Sequence, residues 1–315
     1  MKTIILNEAG GVDKLQLTDT EKPQIKTNEV LVQVKAISIN PVDVNARAYD
    51  HVLNWIYRDE RPVVLGWDIA GEVSEIGEEV TAFKVGDRVF GMVNFFGNGK
   101  AYAEYTAAPE SHLALIPEHH TFEEAAAATL AAVTAYQALV DVAEIKKNDR
   151  VLIHAASGGV GHFAVQIAKY FGAYVIGTSS ANNRDFVLSI GADEHIDYTQ
   201  KDSLNIAGDI DIVIDTIQGD TLLRSIDIVR PGGIIVTLPS PEIPQNIKDK
   251  AEKQNVNLEF MMVASKKETI QAIADLLENK SLIPHIHRIF SFEEMAKAHL
   301  EMETKRVVGK IVVTL

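Results

Sequence analysis

The chain has 315 residues, of which 46% are apolar and 23% charged, with a formal net charge of -14 and no cysteine. That length holds one large domain or two of ordinary size, and the composition is that of a globular protein. An acidic excess repels polyphosphate, which argues against nucleic acid as a partner, and the missing cysteines exclude disulfides, thiol nucleophiles and cysteine-ligated zinc.

The opening stretch MKTIILNEAGG has a short apolar run and no small-residue cleavage site, so no signal peptide is expected. No apolar run approaches the length of a membrane span. A cytoplasmic protein without a membrane partner is the expectation. Over the first hundred or so residues the pattern is β-rich. VLVQVKAISI (Val30–Ile39) partly alternates, and AGEVSEIG, DRVFGMV and AYAEYTAA are short strand-like runs separated by turn sequences such as VGDR and GNGK. Short strands at close spacing predict a compact barrel or sandwich.

At TFEEAAAATLAAVTAYQALV (Thr121–Val140) the composition shifts to strong helix formers, and Thr121 with Glu124 has capping-box spacing. A domain boundary is expected there. From about Arg150 strands and helices alternate. The runs VLIHA, YVIGTS, HIDY, DIVID and GIIVTL, with LEFMMVA (Leu258–Ala264) as a sixth, predict a parallel sheet covered on both faces. Pro231-Gly232-Gly233 is read as the helix breaker before the fifth strand. A helix over KETIQAIADLLENK follows, then a second capping-box pair, Ser291 and Glu294. A last strand, GKIVVTL, is expected to return to the first domain.

Between the first parallel strand and its helix lies HAASGGVGHFAVQIAKYFGA (His154–Ala173). Glycines there permit a tight turn and a close backbone approach to a pyrophosphate held at the helix N-terminus. Ala156 stands at the first glycine of the usual G-x-G-x-x-G spacing. An NAD-binding unit carries an acidic residue about 20 residues further on, for the ribose 2′-hydroxyl. Here the second strand ends in Thr178, Ser179 and Ser180, followed by Asn182, Asn183 and Arg184, with no carboxylate before Asp185. Hydroxyls and a guanidinium accept a 2′-phosphate that a carboxylate would repel, so NADP(H) is the expected cofactor. The alternative for Arg184 is a solvated residue of the next helix.

SINPVDVNAR (Ser38–Arg47), PVVLGWDIAGEVSEIGEEVTAFKVGDRVFGM (Pro62–Met92), AASGGVGHFAVQIAKYFGA and RVVGKIVVTL together resemble the medium-chain dehydrogenase/reductase superfamily, in its zinc-independent quinone oxidoreductase branch, over essentially the whole chain. The resemblance implies an α/β architecture. A GroES-like β-rich catalytic domain (residues 1–120 and 265–315) would flank a Rossmann domain with a doubly wound parallel sheet (121–264), the active site lying in the cleft. Zinc-dependent relatives place a cysteine early and a His-Glu pair after a glycine. Here the corresponding positions read Asn40-Pro41-Val42-Asp43 and, after Gly66, Trp67-Asp68. No metal ligands are therefore expected.

The resemblance assigns the phosphate loop to Ser157, Gly158, Gly159, Val160 and Gly161. It assigns the 2′-phosphate to Ser179, Arg184 and Tyr198, the nicotinamide side to Thr134, and the carboxamide to Leu238 and Ser240. Lys310 is near the cofactor in many relatives, the alternative being an ordinary exposed lysine. For catalysis it points to Asn40 for substrate orientation and to Tyr49 as proton donor, because Asn45 stands where some relatives carry a tyrosine. Tyr57 and water are the alternative donors, and a turn residue before Pro41 is the alternative for Asn40. The implied activity is hydride transfer to quinones or α,β-unsaturated carbonyl compounds, in a homodimer acting on a small-molecule substrate. An enoyl-thioester reductase and a non-catalytic NADPH-binding regulator are the alternatives.

Overall fold

The computed structural model describes residues 1–200, 204 and 209–315. The chain forms two compact units: Met1–Val133 with Val263–Lys280 and Pro284–Leu315, and Thr134–Met262 with Ser281–Ile283.

The first unit is built on a seven-stranded sheet. Its spatial order is Ile286–Ser291, Lys310–Thr314, Glu29–Ile39, Asp68–Ile76, Arg88–Met92 and Leu113–Leu115, with Tyr105–Pro109 also pairing to Glu29–Ile39. The long strand Glu29–Ile39 is buried along most of its length, as expected for a strand with neighbours on both edges. The register places Ile311 opposite Ile39 and Ser38 opposite Asp68. Three strand ends therefore meet at one end of the sheet: the start of the last strand, the end of Glu29–Ile39 and the start of Asp68–Ile76. A smaller sheet of Gln16–Asp19, Lys2–Leu6 and Val63–Val64 completes the β-structure of this unit. The segment after Asn40 forms two short helices, Pro41–Ala48 and Asp50–Tyr57, with Pro41 in the first turn where its missing N–H does no harm.

The helix-forming stretch after Thr121 is not one helix. The capping box is present, with Glu124 N donating to Thr121 Oγ1 at 3.2 Å and Thr121 N to Glu124 Oε2 at 3.1 Å. The helix Phe122–Ala127 then ends, a second runs over Leu130–Tyr136, and a π-helical turn follows over Gln137–Val142. At the break Thr129 Oγ1 donates to the Ala126 carbonyl at 2.6 Å, and the Leu130 N–H goes to Asp68 at 3.0 Å. A carboxylate from another element overrides local helix propensity. Phe122–Ala127 lies in the first unit and packs on Glu29–Ile39 and Asp68–Ile76.

The second unit holds six parallel strands in the order Glu194–Asp197, Tyr174–Ser179, Arg150–Ile153, Ile210–Asp215, Val229–Thr237 and Asn257–Phe260. Numbered along the chain this is the 3-2-1-4-5-6 order of a doubly wound dinucleotide-binding sheet, whose ligand site lies at the carboxyl ends where the order reverses. Leu152, Ile176, Val213 and Ile235 are buried in its core. Pro231-Gly232-Gly233 does not precede the fifth strand. It lies inside Val229–Thr237 as an irregularity, Val229 pairing with Ile210 and Ile234 with Ile212, and Gly232 takes φ +83°. The helix before it already ends at Ser225, so the dihedral freedom read as a breaker serves a bulge. The sixth strand is shorter than LEFMMVA and stops at Phe260.

Gly66 precedes Trp67 with φ +90°, and a Cβ there would run into the ring of fully buried Tyr102. Gly66→Ala combines left-handed strain with overpacking, and equilibrium urea unfolding is expected to show a loss of about 2–5 kcal/mol.

Candidate active site and cofactor loop

In the first unit the three converging strand ends carry Lys310, Asn40 and Asp68, exposed by only 2%, 1% and 0%. Asn40 Nδ2 donates to Asp68 Oδ2 at 2.8 Å, and Asn40 Oδ1 accepts from Lys310 Nζ at 2.5 Å. Lys310 Nζ also donates to the Ile39 carbonyl at 3.1 Å and stands 3.9 Å from Asp68 Oδ2. The second Asp68 oxygen, Oδ1, accepts the Leu130 N–H. Asn40 thus bridges a buried cation and a buried carboxylate, its carbonyl toward the donor and its amide toward the acceptor. Burial raises the Asp68 pKa, an effect opposed by Lys310; burial lowers that of Lys310, opposed by Asp68 and Asp43.

Asp43 is the third residue of the helix that Asn40 precedes, and its Oδ2 accepts from Asn40 N at 2.7 Å. Burial pushes its pKa up to about 8, so it is mostly protonated at neutral pH. Its other oxygen and the hydroxyl of buried Tyr57 have no hydrogen-bond partner among the described residues. Tyr102 Oη lies 3.0 Å from Nε2 of buried His299.

Aromatic rings extend from this cluster toward solvent. Trp67, next to Asp68, donates Nε1–H to the Gly97 carbonyl at 2.7 Å; its ring centroid is 6.3 Å from that of Tyr57 and 5.2 Å from that of Phe95. Phe96 continues the series to Trp55, which is 54% exposed. Tyr49 lies between the two short helices and is 54% exposed, its ring against His51.

In the second unit, Gly158 caps the helix Gly159–Tyr170, and Gly158, Gly159 and Val160 are half-buried. A Cβ on Gly161 would strike the Ala155 carbonyl and come within 2.8 Å of Ala156 Cα. The helix start therefore lies close against the preceding turn, leaving the first free N–H groups of a 12-residue helix as an anion cradle. Ser157 is buried and accepts from Asn183 Nδ2 at 3.0 Å. Beneath the turn, His154 joins Thr178 Oγ1 at 3.1 Å and Ser225 Oγ at 2.8 Å, and burial depresses its pKa to about 4, so it is neutral.

At the end of the second strand Ser179 Oγ is 2.8 Å from His195 Nε2 and donates to the Ser180 carbonyl at 3.1 Å. Tyr198 N donates to the Ser179 carbonyl at 3.2 Å, and the Tyr198 side chain is exposed. The Arg184 side chain is exposed and 3.5 Å from Asp185. Leu238 N donates to the Asp215 carbonyl at 3.0 Å, and Ser240 offers its carbonyl to Gln218 Nε2 at 3.0 Å. Thr134 is buried. These residues suit a dinucleotide: Gly158–Gly161 for the pyrophosphate, and Ser179, Arg184 and Tyr198 for the adenosine end.

The structure thus brings Asn40 and Lys310 together and gathers Ser179, Arg184 and Tyr198 at one strand end. Among the described residues the Tyr49 side chain joins no hydrogen-bonded cluster. Lys310 is not an ordinary exposed lysine. Asp68 as a bridging acceptor, and His195, were not singled out from the sequence. The register pairing Gly177 with His195 places that histidine beside the Ser179 end, a signal visible only once strands are aligned.

Residues 26–118 match the alcohol dehydrogenase GroES-like domain, and residues 190–313 a family described as zinc-binding dehydrogenase. The chain is 33% identical to the 2-methylene-furan-3-one reductase of Solanum lycopersicum, covering 99% of this chain and 79% of the relative. The quinone oxidoreductase of Coxiella burnetii superposes with a TM-score of 0.92 at 34% identity, over 100% of this chain and 99% of the other. The Escherichia coli quinone oxidoreductase complexed with NADPH superposes at 0.88 and 26% identity over 100% of both. The chain belongs to the medium-chain dehydrogenase/reductase superfamily, in its quinone oxidoreductase-like branch, and is an oxidoreductase.

The residues at the zinc positions do not suit zinc. Asp68 already uses both oxygens, and Lys310 places a cation beside it. Among the described residues no group of three or more His, Cys, Asp or Glu side chains is placed to hold a metal ion.

Lys310→Met leaves Asp68 buried without its cation, and a loss of about 3–5 kcal/mol is expected in urea unfolding. The Lys310→Met/Asp68→Asn double variant is expected to recover much of that loss. Protonated Asp43 adds stability that is fully present below its unfolded pKa near 4 and lost as pH rises through about 8. Thermal unfolding across that range is expected to show a decline with pH that Asp43→Asn flattens.

Proposed function

We propose that the chain is an NADPH-dependent, zinc-independent reductase that delivers hydride to quinones or α,β-unsaturated carbonyl compounds. The observation that carries this reading is that Asn40 and Asp68, in the segments where zinc-dependent relatives carry metal ligands, are tied to each other and to the buried Lys310. An alcohol needs its hydroxyl pKa lowered before it can be oxidised, and this donor set offers no such Lewis acid. An electrophilic acceptor needs positioning, a dry site and a proton. Bound at Gly158–Gly161, NADPH supplies the hydride.

The chain's own residues have separate tasks in this reading. Ser157, Gly158, Gly159, Val160 and Gly161 hold the pyrophosphate, and Ser179, Arg184 and Tyr198 the 2′-phosphate. Thr134, Leu238 and Ser240 face the nicotinamide end. Asn40 and Lys310 are positioning residues that keep a net-neutral, rigid polar cluster next to the Trp67 aromatic series. Tyr49, open to solvent, is the proton donor. The name of the tomato relative, which describes an enone reductase, and the NADPH complex of the E. coli structure support the acceptor class and the cofactor. The same reading takes the enzyme as a cytoplasmic homodimer acting on small molecules. The net charge of -14 disfavours nucleic acid, and among the described residues no helix is long and apolar enough to cross a membrane.

The test is NADPH oxidation with 1,4-benzoquinone, an alkenal and crotonyl-CoA. Turnover of the quinone or the alkenal with a higher kcat/KM than the thioester is expected. A preference for the thioester supports an enoyl-thioester reductase instead, and tight NADPH binding without turnover a regulatory protein; either result overturns the proposal.

A further inference from the structure

Ser179 Oγ has one hydrogen and two neighbours, the Ser180 carbonyl at 3.1 Å and His195 Nε2 at 2.8 Å. With the hydroxyl hydrogen on the carbonyl, the short contact to the imidazole requires an Nε2–H donating to the serine oxygen. A phosphate only accepts. Were Nε2 the acceptor, it would take the one hydrogen Ser179 could offer a phosphate; as donor, it leaves that hydrogen free to turn outward.

We propose that His195 is the positioning residue of the adenosine 2′-phosphate subsite: its Nε2–H holds Ser179 so that the hydroxyl donates to the phosphate, and the imidazole becomes a cation beside Arg184 when the dianion binds. The proposal rests on the NADP reading above. The charged and titratable groups around His195 among the described residues favour this role. On its own strand stand Asp197 and Glu194, the latter tied to the Tyr174 hydroxyl of the neighbouring strand at 2.5 Å. From the packed helix come Arg184 and its ion-pair partner Asp185. Burial lowers the His195 pKa, Asp197 pulls against it and Arg184 adds to the lowering, so the surroundings favour the neutral ring without the phosphate. A bound dianion favours the imidazolium, and binding then takes up a proton.

The experiment compares Kd values for NADPH and NADH in wild type, His195→Gln and His195→Phe, from about pH 8 to about pH 6.5, above the second pKa of the phosphate at about 6. Wild-type preference for NADPH is expected to grow several-fold as pH falls. His195→Gln keeps an N–H near the Nε2 position, so it retains most of the preference at the higher pH and loses the growth. His195→Phe loses roughly tenfold of the preference, the equivalent of one charge-assisted hydrogen bond. The Kd ratio separates this from a general structural effect, which weakens both nucleotides alike. A His195→Phe variant with wild-type preference, or a His195→Gln variant that retains the pH-dependent growth, overturns the inference and leaves the cofactor reading intact. A wild type that binds NADH as tightly as NADPH overturns the cofactor reading, and this inference with it.

Discussion

The first unit depends on one buried ionic contact bridged by an amide. Lys310 and Asp68 lie in a nearly water-free environment, where an unpaired charge would cost several kcal/mol. Asn40 joins them, and the surrounding backbone is arranged to satisfy them: the Ile39 carbonyl takes a lysine proton, and the Leu130 N–H is given to the carboxylate. The break between the helices Phe122–Ala127 and Leu130–Tyr136 follows from this contact, because a continuous helix would keep the Leu130 N–H for itself. The paired strand ends hold the contact in register, and a one-residue slip would turn the flanking side chains to the other face.

The second unit depends on a backbone constraint. The turn from Ala155 to Gly161 brings a helix start against a strand end so closely that Gly161 has no room for a side chain. The buried, neutral His154 fastens the turn to Thr178 and Ser225 from below. What stays half-open is the row Gly158–Val160, where the Gly158 N–H closes the turn on the Ala155 carbonyl and the N–H groups of Gly159 and Val160 open the helix. A globally acidic chain can still offer an anion a local site of this kind, because helix-terminal dipoles act within the first turn.

Much of this was legible in the residues. The strand Val30–Ile39, the capping boxes at Thr121 and Ser291, the alternation after Arg150 and the glycine turn all rest on short-range chemistry, and the family pattern drew attention to Asn40, Lys310, Ser179 and Arg184 as candidates. Less legible was whatever depends on a distant partner. Lys310 reads equally well as a solvated lysine until Asn40, 270 residues away, is found beside it. Pro231-Gly232-Gly233 reads as a helix breaker until the neighbouring strand shows that it forms a bulge. Tyr49 and Tyr57 look interchangeable in the sequence, yet one is open to solvent and the other is buried, its hydroxyl without a partner among the described residues.

The residues alone specified the two architectures, the glycine turn, the absence of thiol ligands and the lack of a carboxylate before Asp185. Each of these is a matter of residue type at fixed spacing along a continuous stretch. Tertiary structure alone decided that Lys310, Asn40 and Asp68 form one cluster, that the Leu130 N–H at the start of its helix goes to Asp68, and that His195 stands against Ser179. Sheet register and burial made those decisions, since the free energy of a charge or a hydrogen bond depends on what folding brings next to it and on how much water it removes.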